Sequence, residues 1–225
     1  MLHLILLLAA ADDKAAEDAL QRFKQAYRNP SAPARATAVA ELARTPHEKT
    51  LVQLVGILSG EVPVVKAAAA RALGGFGEFK KKAGPILVSS LAANAKEDLV
   101  QVAIFEALGK LDDESALRVI HKYFEDKNGK VASAALLAAG EIRDISSIDL
   151  ILKEMEDCEK INKQGSGGGG PGVPGGGDDP RKERAKAVLP ASIKAMQLLT
   201  KEKWTTAEEW RIWWGRRRAT FKIED

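Results

Sequence analysis

Three histidines (His3, His47 and His121) and one cysteine (Cys158) are the side chains of this chain best suited to ligate a transition metal or form a nucleophile–base pair. A zinc site needs three or four such ligands at short, recurring spacings. These four show no such spacing. HExxH, G-x-S-x-G and GxxxxGK[ST] are also missing from the sequence, so the usual metalloprotease, hydrolase and nucleotide-phosphate chemistries have no carrier. Gly109-Lys110 and Gly129-Lys130 lack the Ser or Thr that a P-loop places next. Gly165-x-Gly167-x-x-Gly170 matches a dinucleotide fingerprint letter by letter. However, no strand pattern precedes it and no helix opens on it, and the glycines of that motif work only in such a setting. Asp112, Asp113 and Glu114 could hold a cation, but they fall at a turn between helical segments, where an N-cap is wanted. The expectation is a non-enzyme with no cofactor and no metal.

Binding chemistry is better represented. All four tryptophans lie in the last 22 residues, and Trp210, Trp213 and Trp214 stand beside Arg211, Arg216, Arg217 and Arg218. Indole and guanidinium together can stack on bases and hold phosphates. They are also the residue types that dominate protein interfaces. A structural reading competes with both. Positions i, i+3 and i+4 share one helix face, and arginines in a last turn complement the helix dipole. Trp210, Trp213, Trp214 and Arg217 are therefore candidate capping or tail contacts, with capping preferred over a nucleic-acid site.

The elements that would position these residues follow from a repeat. ARATAVAELA at 34–43 recurs as VKAAAARALG at 65–74, VQVAIFEALG at 100–109 and VASAALLAAG at 131–140, at offsets of 31, 35 and 31 residues. A period of this size marks a helical repeat array. Each copy has apolar residues at helical spacing (Ala36, Val39, Ala40 and Ala43 in the first) and reads as the first helix of a pair. Small residues allow close helix approach. Gly74, Gly109 and Gly140, near helix ends, are expected to take left-handed C-cap conformations. A second helix follows, with aligned columns Leu51/Leu54/Val55/Leu58, Gly84/Leu87/Val88/Leu91, Leu117/Ile120/His121/Phe124 and Ile148/Ile151/Leu152/Met155. That i, i+3, i+4, i+7 pattern is one amphipathic stripe. His121 occupies an apolar column, so a half-buried structural role outweighs a functional one.

Pro33-Ala34-Arg35-Ala36-Thr37-Ala38 and Pro63-Val64-Val65-Lys66-Ala67-Ala68-Ala69-Ala70-Arg71-Ala72-Leu73-Gly74 resemble first helices of HEAT repeats. Their closest flavour is the short HEAT-like type of bacterial proteins and phycobilin lyases. Ala83-Gly84-Pro85-Ile86-Leu87-Val88-Ser89-Ser90-Leu91 resembles the matching second helix. Copies three and four lack the opening proline and join by period and columns. The resemblance covers roughly residues 32–160. It implies an all-α, right-handed α-solenoid of about five helix pairs with capping helices at both ends. It also implies that the second helices line the concave surface, where Arg118, Lys122 and Lys153 become candidate contacts for an acidic partner. HEAT arrays serve many roles, so the likeness speaks to fold more than to activity. The leading expectation is a monomeric scaffold that binds a protein. Chromophore attachment of the phycobilin-lyase kind, and nucleic-acid binding through the basic tail, are the alternatives.

The ends and the interruption complete the organisation. Leu2–Ala11 is an apolar run followed by Asp12-Asp13-Lys14, with small residues at Ala9 and Ala11 where a signal peptidase requires them. Residues 1–11 thus read as a signal peptide directing export to the periplasm or envelope. The other reading makes them the first turns of a capping helix in a cytoplasmic protein. The run is too short to span a bilayer. Residues 12–31 read as an N-terminal capping helix through Ala16, Ala19, Leu20, Phe23, Ala26 and Tyr27, and 32–162 as repeats one to four. KQGSGGGGPGVPGGGDD at 163–179 reads as a flexible linker, with a coil span of roughly 20–25 Å. Residues 180–225 hold a fifth pair and the Trp-rich cap, its last helix starting near Ala207 after the capping boxes Thr205-x-x-Glu208 and Thr206-x-x-Glu209. This segment carries 12 Lys/Arg against 6 Asp/Glu, while the rest of the chain is net acidic. Cys158, alone, excludes an internal disulfide; it is expected to be half-buried near a helix end.

Overall fold

The structure, a computed structural model, describes residues 2–164 and 179–223. Among these residues all regular structure is helical. The chain divides into two compact units, Met1–Leu111 and Asp112–Asp225. The first contains α1 (Leu2–Ala26), α2 (Ala32–Leu42), α3 (Glu48–Gly60), α4 (Pro63–Leu73), α5 (Lys80–Ala93) and α6 (Asp98–Leu111). The second contains α7 (Leu117–Ile120), α8 (Gly129–Ile142), α9 (Ile148–Gln164), α10 (Pro180–Thr200) and α11 (Ala207–Arg217).

Local chemistry sets the helix starts. Proline in the first turn of α2, α4 and α10 supplies a fixed helical φ and lacks an N–H that would be unsatisfied there. His47 and Thr50 cap α3 reciprocally: the Lys49 N–H donates to His47 Nδ1 at 3.1 Å, and the His47 N–H donates to Thr50 Oγ1 at 3.0 Å. Asn128 and Asp179 cap α8 and α10. Thr206 and Glu209 form the capping box of α11, which begins at Ala207 as the spacing predicts.

The repeat columns are the core. In the first unit α4 packs against both α2 and α6, and in the second α10 packs against α8 and α9. These interior helices bury most of their circumference, as Val65, Ala67, Ala69, Ala70 and Leu73 do in α4. Along the second helices the i, i+3 and i+7 columns are buried in all four copies. The i+4 column is half-buried at Val55, Val88 and His121 and buried at Leu152. Ala40 departs from the expected stripe: it is exposed, and Ala38 is buried in its place.

Two expectations need correction. Gly74 keeps right-handed helical geometry (φ −62°, ψ −20°), and Gly140 lies inside α8. Their role is close approach. A Cβ on Gly74 would sit 2.8 Å from Ala107 Cα, and one on Gly140 would sit 2.7 Å from Ala195 Cα. The left-handed positions fall on Asp112, Arg143 and Lys201 instead. The second helix of copy three is also shorter than its stripe predicts. Only Leu117–Ile120 is α-helical, and His121–Tyr123 continues as a 3-10 turn. Val119, Ile120, His121, Tyr123 and Phe124 are β-branched or aromatic residues of modest helix propensity, which favours the shorter element.

At the N-terminal end α1 buries Ala16, Ala19 and Phe23, while Ala26 is exposed. The helix runs unbroken across the Ala11–Asp12 junction. Its C-terminal end is clasped by Tyr27, whose hydroxyl donates to Glu61 Oε1 at 2.6 Å, while Arg35 reaches Glu61 Oε2 at 3.1 Å. The glycine-rich stretch 165–178, read as a flexible linker, lies outside the described residues. No helix among the described residues is long and apolar enough to cross a membrane.

Candidate functional site

His3 lies outside the residues whose side chains are described; among the described residues the most reactive side chains are committed to structure. His121 is half-buried, with Nε2 2.9 Å from Ser147 Oγ and its ring edge-on to Phe124; burial lowers its pKa. His47 caps α3 and lies 3.3 Å from Asp13, on the wall of a cavity of about 820 Å³ beside α1. Asp113 caps the turn Glu114–Ala116 by accepting from the Ser115 N–H at 3.1 Å, the capping role its position predicts. Cys158 is fully buried in α9 rather than half-buried, because its position falls on the core face; burial pushes its thiol pKa up to about 12. Among the described residues no group of three His, Cys, Asp or Glu is placed to hold a metal ion.

The three basic candidates differ in state. Arg118 on α7 and Lys122 on the following turn are exposed and make no ion pair among the described residues. Lys153 on α9 is neutralised: its Nζ donates to Glu125 Oε1 at 2.6 Å, a bond that holds the lysine pKa up and the Glu125 pKa down. The patch is thus two free cations and one ion pair.

At the C-terminus α11 docks on α9. Trp210 is wholly buried, with Trp213 and Trp214 only 8% and 5% exposed. Trp213 meets Trp210 and Phe221 edge-on, at centroid distances of 5.6 and 5.2 Å. Trp214 Nε1 donates to Asp149 Oδ1 at 3.1 Å, and Trp213 Nε1 donates to Glu202 Oε1 at 3.1 Å. The Ala207 N–H donates to Glu159 at 2.8 Å, Arg211 pairs with Glu156, and Arg218 pairs with Asp149 at 3.0 Å. The Arg211 hydrogen bond holds the Glu156 carboxyl below its ordinary pKa. This burial of aromatic area, with the Trp213 and Trp214 indoles hydrogen-bonded, fixes α11 against α9.

Next to the cap is a feature that sequence reasoning missed. A cavity of about 600 Å³ opens between the C-terminal ends of α8 and α10 and the residues after α11. Arg143, Lys201, Arg217 and Lys222 line it, with Trp213 and Phe221. A cleft of about 370 Å³ adjoins it, lined by Trp204, Ile212, Trp213, Arg216 and Arg217. Trp213, Arg216 and Arg217 stand out in the sequence, but Arg143, Lys201 and Lys222 do not. These three come from the ends of α8 and α10 and from beyond α11, and no spacing rule links them.

Residues 20–105 match the family model for HEAT repeats. Over this stretch the chain carries HEAT repeats. The matched stretch takes in α2 to α5 whole, most of α6 and the later turns of α1. The HEAT-type pairing of helices continues beyond it in α8, α9 and α10. The cationic cavity lies outside the matched residues. No curated protein matches the chain.

Proposed function

We propose that this protein is a non-catalytic scaffold that binds another protein through its HEAT repeats, and that it does so after export to the cell envelope. The HEAT repeats carry the reading: stacked helix pairs present extended side-chain surfaces that suit protein recognition. The engagement of His47, His121 and Cys158 in caps and core supports it. The burial of Trp210, Trp213 and Trp214 weighs against a base-stacking surface, which needs open ring faces.

The test is capture with the full chain as bait, with and without nuclease, across a salt series. Retention of a nuclease-resistant protein partner is expected. Retention of nucleic acid alone, with steep loss of binding as salt rises, would overturn the reading in favour of a nucleic-acid binder. A shifted tetrapyrrole absorption band would favour the chromophore-attachment alternative.

Export draws on the small residues at Ala9 and Ala11, which end the apolar run just before Asp12. Intact mass of the protein from separated cytoplasmic and envelope fractions decides this. A mature form starting at Asp12 outside the cytoplasm supports export, and a full-length cytoplasmic form refutes it.

A further inference from the structure

We propose that the end of the second unit formed by α8, α10 and α11 binds an acidic peptide segment that carries an aromatic or aliphatic anchor residue. This rests on the protein-binding reading above and assigns it a site and a partner chemistry.

The first support is how the charges are spent. Arg211 and Arg218, against α9, are consumed by Glu156 and Asp149. Arg216 and Arg217, from the same short stretch, make no ion pair among the described residues, and neither do Lys201 and Lys222. Among the described residues that line these pockets, two carboxylates lie beside the cations, and each is held by neutral donors. Glu202 accepts the Trp213 indole N–H, and Glu209 accepts the Thr205 and Thr206 N–H groups at 3.2 and 3.0 Å in the capping box. Both carboxylates keep their charge, but among the described residues that line these two pockets Lys201, Arg216, Arg217 and Lys222 outnumber them, so the surface holds surplus positive charge. A run of glutamates or aspartates is its complement.

The second support is backbone conformation. Among the described residues only Asp112, Arg143 and Lys201 are non-glycine residues with positive φ, at 51°, 57° and 63°. Two of the three are cations on the wall of this one cavity. Each is the left-handed residue that closes a helix, where glycine avoids the steric cost of a Cβ. Complementing the helix dipole does not require a charged residue there, because a cation one turn earlier does so without strain. Side chains kept where glycine would relieve strain point to a use for those side chains.

The third support is the apolar half. Trp204 and Ile212 are 40% and 50% exposed and line the adjoining cleft. That cleft shares Trp213 and Arg217 with the cationic cavity. Aromatic and arginine side chains around a pocket are what an anchor residue fills.

The experiment measures binding of the full chain to fluorescently labelled probes. The probes are a peptide of glutamates around a central Phe-Leu pair, an all-glutamate peptide, its all-lysine counterpart and a single-stranded oligonucleotide of matched charge. The Phe-Leu peptide should bind best, about tenfold tighter than the all-glutamate peptide because of its buried apolar contacts, and binding should weaken as salt screens the charges. Lys201→Gly should weaken it several-fold while leaving the melting temperature unchanged or raised. Lys201→Gly combined with Arg217→Gln and Lys222→Gln should abolish it, and Ile212→Ser should remove the Phe-Leu advantage alone. All four positions are exposed, so the variants keep the fold. Unchanged affinity in the triple variant overturns the proposal, as does an oligonucleotide that binds tighter than the peptide and loses affinity in the same variants. Partner capture with the triple variant separates the two levels of inference. If it retains the same protein partner as the wild type, the scaffold reading stands and this site falls; if neither form retains any protein, the scaffold reading falls as well.

Discussion

Gly140→Ala should destabilise the second unit, although glycine is normally a poor residue inside a helix. Alanine gains about 1 kcal/mol over glycine in a helix interior. Against this, the new Cβ would stand 2.7 Å from Ala195 Cα, 2.9 Å from Ala195 O and 3.1 Å from Ala195 Cβ. Two of these three obstacles are backbone atoms of α10 and cannot rotate away. Relief must come from moving α8 and α10 apart along an interface that also carries Gly129 against Arg184 and Ala187. Overpacking of this kind costs roughly 1–3 kcal/mol. Where only helix shifts can relieve it, the upper part of that range applies, leaving a net loss of about 2 kcal/mol after the propensity gain. For a unit of this size that lowers Tm on the order of 10 °C. Gly215 in α11 is the control in the same unit: nothing lies within 4 Å of its Cβ position, so Gly215→Ala should gain up to about 1 kcal/mol. All the tryptophans belong to the second unit, so fluorescence excited selectively at indole follows its unfolding, while far-UV circular dichroism follows both units. A Gly140→Ala protein at least as stable as wild type by indole fluorescence would refute the close-approach argument.

Arg184→Met should cost the second unit about 3–5 kcal/mol in the same fluorescence melt, because it leaves the buried Glu154 carboxylate unpaired; the guanidinium now donates to Glu154, Asp126 O and Phe124 O at 2.7, 2.6 and 2.7 Å. A smaller loss in Arg184→Met with Glu154→Leu would confirm that the unpaired charge is responsible. Tyr27→Phe should cost the first unit about 1–2 kcal/mol at neutral pH, read by circular dichroism. The Tyr27 hydroxyl, then Arg35, depresses the Glu61 carboxyl; a depressed acid stabilises above its unfolded value of about 4.3 and loses that contribution as pH falls through the folded one. The variant should therefore show a shallower acid limb, and an unchanged limb would count against the clasp. Cys158, buried and with its thiol pKa raised to about 12, should resist aromatic disulfide reagents at pH 8 until the protein unfolds; fast stoichiometric labelling of native protein would contradict its placement.

The helix pairs were legible because burial at fixed columns is what the repeat encodes. Leu51, Leu87, Ile120 and Ile151 are all buried, and the Thr206–Glu209 box starts α11 at Ala207. Helix ends were less legible. Gly109 and Gly140 invited left-handed caps, yet α6 and α8 run on and turn left-handed three residues later, at Asp112 and Arg143. A glycine needed for close approach and one needed for a turn look the same in sequence, and only the neighbouring helix tells them apart. Of the candidate contacts, the shared buried face of Trp210, Trp213 and Trp214 was legible from helical spacing. The ion pair that neutralises Lys153 was not, because Glu125 comes from another element. The cationic cavity was hidden for the same reason: residues 143, 201, 217 and 222 meet only in three dimensions.

The Arg184 contacts and the close fit of Gly140 against Ala195 mean that α10 is held by its own interface with α8 and α9. The covalent link between Gln164 and Pro180 then adds only an effective concentration to an interface that already exists. A chain opened within it would become two fragments with matched faces, whose reassembly would depend on their concentration. That makes residues 165–178 a natural place to split the protein into halves that report on their own reunion.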